Sequence, residues 1–167
     1  MIIQTERLTL RPFTMRDLKT THIYASDAEN TQYMGNLSNK TKTKWATWWF
    51  LKHAIAQWKR KPQRRYDFAI DLAGKHIGSV SVSLDESGQK GALGWIIQKA
   101  HWGNGYATEA AKAVMEFARG LGATMFLARC DERNEASRRV MEKIGMTLES
   151  GDSTCRYKDV RDLIYST

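Results

Sequence analysis

The chain has 167 residues, 42% of them hydrophobic, enough for one domain around one core. It carries 26 lysines and arginines against 18 acids, a formal net charge of +8, which points either to an anionic partner (a phosphorylated cofactor or nucleic acid) or to a solubilising surface. No apolar run reaches a membrane span, no charged-then-apolar leader is present, and the two cysteines, Cys130 and Cys155, lack both a disulfide framework and metal-ligand spacing. A reducing cytoplasm is the expected setting, with no metal and no membrane.

In chain order, Leu8 to Phe13 alternates as a strand, with Leu8, Leu10 and Phe13 expected on one side. Thr14-Met15-Arg16-Asp17 reads as an N-cap with an acid three residues on, predicting a helix through about Tyr24. Ala25 to Asn39 is polar and gives mixed signals. Thr43 to Lys59 places Trp45, Trp48, Trp49, Ile55 and Trp58 at helical spacing, a stripe expected to be mostly core, with His53 on the surface. The basic run Lys59 to Arg65 reads as an exposed loop first and a binding patch second.

Tyr66–Leu72 and His76–Leu84 are predicted strands joined by a turn at Ala73-Gly74-Lys75, and Asp85 to Gly91 is a looser turn. Ala92–Ile97 is a strand expected to be buried on both faces, followed by a glycine loop and a helix over Ala110–Arg119. Met125–Cys130 is the next strand, and the following helix is opened by Asn134 and closed by Gly145. Met146–Ser150 and Thr154–Tyr165 should close the chain as a strand pair. There are no repeats or low-complexity linkers, so residues 1–167 are expected to form one α/β domain, a mixed sheet with helices on its faces.

The stretch carrying most chemistry is Trp102-Gly103-Asn104-Gly105-Tyr106-Ala107-Thr108-Glu109-Ala110. Strand, glycine turn and helix in that order present backbone N–H groups to a phosphate at a helix N-terminus, and Gly103 and Gly105 allow close approach to the backbone. Glycine turns before helices also arise for structural reasons alone. Glu109 in the first helical turn is accounted for by capping and the helix dipole.

With Asn134-Glu135-Ala136-Ser137, the opening Thr5-Glu6-Arg7-Leu8-Thr9-Leu10-Arg11-Pro12 and the closing Arg161 to Ser166, this stretch resembles the GCN5-related N-acetyltransferases (GNAT). The branch it is similar to is the RimJ/RimL-like ribosomal-protein and aminoglycoside-type group. The resemblance implies a single mixed, mostly antiparallel, splayed sheet flanked by helices. It also implies acetyl-CoA as cosubstrate and direct attack by an amine in a ternary complex.

By the same resemblance, backbone groups of Trp102, Gly103, Asn104, Gly105, Tyr106, Ala107 and Thr108 cradle the pyrophosphate, with Trp102 where relatives carry Arg or Gln. The main chain of Ile96, Ile97 and Gln98 faces the pantetheine arm, which Asn134 also bonds. Lys143 is a candidate for the phosphates, although the helix dipole alone favours a lysine there. Relatives place a Tyr acid seven residues after the Asn. Here that position is Met141, so Ser137 is the candidate partner of the leaving thiolate. The usual base position is Ala92, and no general base is assigned. Cys130 is read as a buried strand-end cysteine, with an acetyl-accepting thiolate as the alternative.

The acceptor side would be built from Ala25–Asn39, the tryptophan helix and the last hairpin, so a protein N-terminus and a small amine both stay open. Two rivals remain. One is an acyl-CoA-binding sensor without catalysis, which Ala92 and Met141 would suit. The other is a basic ribosome- or nucleic-acid-associated protein, which would require exposed tryptophans between Trp45 and Arg65. Nucleic acid is otherwise not an expected partner, and a homodimer is left open.

Overall fold

The computed structural model describes residues 1–34, 43–149 and 162–167. Its strands are β1 (Ile3–Gln4), β2 (Leu8–Pro12), β3 (Arg65–Leu72), β4 (Lys75–Leu84), β5 (Lys90–Ile97), β6 (Met125–Asp131), β7 (Thr147–Leu148) and β8 (Asp162–Ser166). They form one sheet in the order β1-β2-β3-β4-β5-β6-β8-β7. Among these pairs, β5–β6 alone is parallel. The helices are α1 (Leu18–Ser26), α2 (Ala28–Thr31), α3 (Lys44–Gln57), α4 (Tyr106–Gly120) and α5 (Glu135–Lys143). None among the described residues is long and apolar enough to cross a membrane. Residues 150–161, which hold Cys155 and most of the expected closing hairpin, lie outside the described residues, as do 35–42.

One face of the sheet carries the main core. Leu8, Leu10, Phe68, Ile70, Val80 and Val82 meet Ala110, Val114, Met115 and Ala118 of α4 and Met141 of α5. Positions 110, 111, 114, 115 and 118 of α4 are all buried, a helical stripe facing the strands. The other face carries a smaller cluster of Phe13, Leu51, Ala54 and Ala69. Phe13 was expected beside Leu8 and Leu10. It stands three positions after Leu10, and a period of two sends it to the opposite face.

Both long βα helices end on a left-handed glycine. Gly145 (φ 87°) closes α5 as expected, with Met146 N–H bonded to Met141 O at 3.0 Å and Gly145 N–H to Glu142 O at 3.1 Å. Gly122 (φ 106°) closes α4 in the same way. The β3–β4 turn has Ala73 (φ 47°) and Gly74 (φ 78°) at its centre, the left-handed pair a two-residue hairpin demands.

Thr14 to Asp17 opens a helical turn that runs into α1 and on to Ser26. The Asp17 carboxylate accepts the Thr14 N–H (2.7 Å) and hydroxyl (3.1 Å), and it also meets the Arg11 fork at 2.8 Å. Arg11 bonds Asp71 of β3 as well, at 2.7 and 3.1 Å. A register shift pairs Ile70 with Gly78 but Asp71 with His76, leaving Ile77 as the extra residue of a bulge. The bulge turns His76 to the α1 face, where its Nε2–H donates to Gly78 O at 2.8 Å and Nδ1 lies 2.7 Å from the Thr20 hydroxyl.

The tryptophan stripe is not core. Thr47, Leu51 and Ala54 are the buried residues of α3, while Trp45, Trp48 and Trp49 are exposed. Trp58, just past the helix, does pack on the main core and donates to Asp67 O at 3.1 Å. Helical spacing alone does not say which face meets the sheet, and here the smaller side chains do. β5 also departs from expectation: only Gly91 and Ile97 are buried. Its pairing with β6 runs from Lys90–Met125 to Leu93–Ala128 and stops, so its second half lacks a neighbour on that side.

Candidate active site

The site grows from that parting. Beyond Leu93, β5 continues alongside β4 to Ile97, and beyond Ala128, β6 continues alongside β8 to Asp131. The sheet therefore splays into a wedge. Gln98 N–H donates to Ile77 O at 2.8 Å, which makes Gly78–Ile97 a non-hydrogen-bonded pair. By alternation the main chain of Ile96 and Gln98 faces β4, while that of Trp95 and Ile97 faces the wedge. Ile97 O confirms the direction, because it accepts from Trp102 Nε1 (2.7 Å) and Asn30 Nδ2 (2.9 Å). Of the three candidates, Ile97 alone turns its main chain to the wedge. Trp95, outside the expected trio, turns its main chain to the wedge as well, because the pairing with β4 sets the phase of the alternation.

At the end of β5 the chain turns through Gly103 (φ 77°) and Gly105 (φ 79°), conformations that disfavour any side chain. Asn104 ties the turn to itself, donating to Trp102 O (2.9 Å) and His101 O (3.2 Å). The first α4 bond runs from Glu109 N–H to Gly105 O at 3.0 Å, so Tyr106, Ala107 and Thr108 precede the intrahelical ladder. With the 15-residue α4 dipole behind them, these N–H groups are placed to receive an anion.

Glu109 has a structural role, but its partner was not legible in the sequence. It accepts from the Thr5 hydroxyl (2.5 Å) and from Arg7 N–H (2.9 Å), Nε (2.8 Å) and Nη2 (2.7 Å). Burial pushes its carboxyl up, yet these bonds outweigh that and hold it below the usual carboxylate range. Arg7 also donates to Asn104 O at 3.0 Å and lies 4.7 Å over the Tyr106 ring. The opening motif thus braces the glycine turn from the sheet edge.

Across the wedge, Asn134 Oδ1 caps α5 by accepting Ser137 N–H at 3.0 Å. Ser137 is half-buried in the first turn. Lys143 is exposed in the last turn of α5, about 9 Å along the axis from Ser137. Met141 is buried in the core, so no proton donor stands at that position. Burial pushes the Cys130 thiol up to about 11, which leaves it neutral and removes the case for a thiolate nucleophile. Asp131, where β6 ends, is buried and held by Arg133 Nε (2.9 Å) and Nη2 (2.7 Å). Those bonds hold its carboxyl below the usual carboxylate range, and no general base emerges among the described residues. On the α1 side, a hollow of about 430 Å³ is lined in part by Tyr24, Asp27, Asn30 and Gln98.

A splayed mixed sheet with a glycine turn leading into a helix at the wedge is the architecture expected of the GNAT fold. The acetyltransferase (GNAT) domain model matches residues 7–147, and the chain belongs to that family of N-acetyltransferases. Among relatives, it is 26% identical over 160 residues to "Uncharacterized N-acetyltransferase YnaD" of Bacillus subtilis (strain 168), covering 93% of this chain and 88% of that one. Among solved structures, a GNAT-family acetyltransferase from Bacillus anthracis superposes with a TM-score of 0.84 at 26% identity, covering 100% of this chain and 98% of that one. RimL, a ribosomal L7/L12 α-N-protein acetyltransferase solved with coenzyme A, shares the fold at a TM-score of 0.84 and 19% identity, over 100% of this chain and 97% of that one.

Proposed function

We propose that this chain transfers the acetyl group of acetyl-CoA to a primary amine, a protein N-terminus or a small amine, by direct attack in a ternary complex. The observation that carries the reading is the coincidence of the wedge with the anion cradle at its mouth. In this account the N–H groups of 103–108 hold the pyrophosphate and the main chain of Trp95 and Ile97 lines the pantetheine path. Asn134 and Ser137 face that path from α5, Lys143 supplies a phosphate contact, and the Ser137 hydroxyl stabilises the departing thiolate. Acetyl-CoA is expected to raise the melting temperature, as a ligand of the folded state must, and desulfo-CoA to do so too, while adenosine does little. No shift at millimolar acetyl-CoA contradicts the reading.

Ser137→Ala is expected to lower kcat by about ten- to a hundred-fold with KM for acetyl-CoA little changed, because its bond forms to charge that develops in the transition state. Unchanged turnover in a folded variant removes Ser137 from the mechanism.

Arg7 serves the same site as a strut, since Glu109 already neutralises its charge. Arg7→Ala and Glu109→Gln should both raise KM for acetyl-CoA, by about ten-fold for the loss of a charge-assisted contact. If Arg7 bound the phosphates directly, Glu109→Gln would free its charge and tighten binding, so the sign of that one change decides between strut and ligand.

A further inference from the structure

Helix α3 presents an exposed tryptophan face. Trp45, Trp48 and Trp49 are 69, 37 and 42% exposed on it, while Phe50 turns towards the core and packs edge to face on Phe13. Trp49 meets Trp45 and Trp48 edge to face, with centroids 5.8 and 6.0 Å apart. Lys52 Nζ lies 5.4 Å over the Trp48 ring, and the His53 ring lies 4.9 Å from Trp49. The opposite face, Thr47, Leu51 and Ala54, is docked on the domain.

The charge of the chain is concentrated at the same place. Residues 43–65 hold seven of the 26 lysines and arginines and none of the 18 acids, leaving 19 bases against 18 acids elsewhere. The net charge of +8 therefore belongs almost wholly to this segment. All seven cations are exposed. Among the described residues, Arg64 and Arg65 have carboxylate partners, whereas Lys44, Lys52, Lys59, Arg60 and Lys61 have none within ion-pair distance.

We propose that this face binds single-stranded nucleic acid, its rings stacking unpaired bases and its lysines and arginines following the phosphates. An exposed aromatic group of this size marks a binding surface. A strand with accessible bases satisfies both halves of it, the π-faces and the uncompensated positive charge. A duplex hides its bases. A membrane-surface helix segregates apolar from basic faces, whereas here Lys52 sits over the Trp48 ring on the aromatic face itself.

The test uses the full chain and a fluorescein-labelled single-stranded RNA of mixed sequence, read by anisotropy and by tryptophan emission. Saturable binding with quenched emission is expected, log K falling against log salt with a slope of about −3 to −4 for five engaged cations. Trp45→Ala/Trp49→Ala should weaken RNA binding by about ten-fold or more while leaving heparin binding and the melting temperature unchanged. Lys52→Glu/Lys59→Glu should weaken both RNA and heparin. Four results overturn the proposal: no saturable RNA binding in low salt, RNA affinity indifferent to the tryptophans, duplex bound as well as single strand, or anionic vesicles bound in place of RNA. A concentration-dependent dimer that covers the tryptophans overturns it as well.

Discussion

Gly105→Val is expected to weaken acetyl-CoA binding by roughly a hundred-fold or more while the chain still folds. Gly105 has φ 79°, and the nearest atom to an added Cβ is Arg7 Nη2 at 3.6 Å, so space is available but the backbone is disfavoured. The fold loses about 1–3 kcal/mol through that strain. The cradle loses more, because relaxing φ re-aims the N–H groups that follow, and two lost bonds to a phosphate are together about 3 kcal/mol or more. Gly88→Val is the control. It has nearly the same backbone (φ 76°) and open space around it, in the β4–β5 turn outside the cradle. It should cost similar stability and leave affinity unchanged. Titration calorimetry with thermal melts separates the two, and an affinity loss that only tracks the unfolded fraction makes the loop structural.

Arg11→Met should destabilise the fold by about 2–4 kcal/mol near neutral pH, the scale for breaking a partly buried ion pair. It strands two carboxylates, Asp17 and Asp71, whose side chains are 6 and 13% exposed. Burial pushes the Asp17 carboxyl up, but the Arg11 and Thr14 bonds outweigh it, so in the folded chain it titrates below the usual range. Its stabilisation is therefore present above the unfolded value of about 3.9 and lost as pH falls through the folded one. Without Arg11 the burial effect is opposed by the Thr14 bonds but no longer by the guanidinium. The gap between wild type and variant should be full near pH 7 and narrow as pH falls below about 3.9; urea unfolding at pH 7 and well below that value measures it, and a pH-independent gap contradicts the account. His76, whose pKa burial lowers, adds to acid sensitivity. It stays neutral in the fold, so stability falls as pH drops below about 6.5, where the unfolded chain takes up a proton.

The parts of the fold legible in the sequence are those written in local chemistry. The Thr14–Asp17 box, the Ala73-Gly74 turn, the Asn134 cap and the Gly145 stop each act within a few residues, and each stands where its residue types placed it. What was not legible depends on partners far along the chain. Glu109 and Arg7 are 102 residues apart, and the glutamate alone looked like an ordinary first-turn acid. The phase of β5, which selects Trp95 and Ile97 over Ile96 and Gln98, is set by β4 through Gln98 and Ile77. Hydrophobic spacing marked α3 as a helix but pointed its tryptophans inward. The domain took Thr47, Leu51 and Ala54 in their place, and three tryptophan rings were left outside.

The most direct measurement of the central claim is release of free CoA thiol from acetyl-CoA against a panel of primary amines, from N-terminal peptides to polyamines and aminoglycosides, with product mass read in parallel. The account predicts release that needs both the amine and the folded protein, one acetylated amine per thiol, lost in Gly105→Val and retained in Gly88→Val. Tight acetyl-CoA binding with no amine-dependent release from any member of the panel would contradict it and leave a cofactor-binding domain without transferase activity.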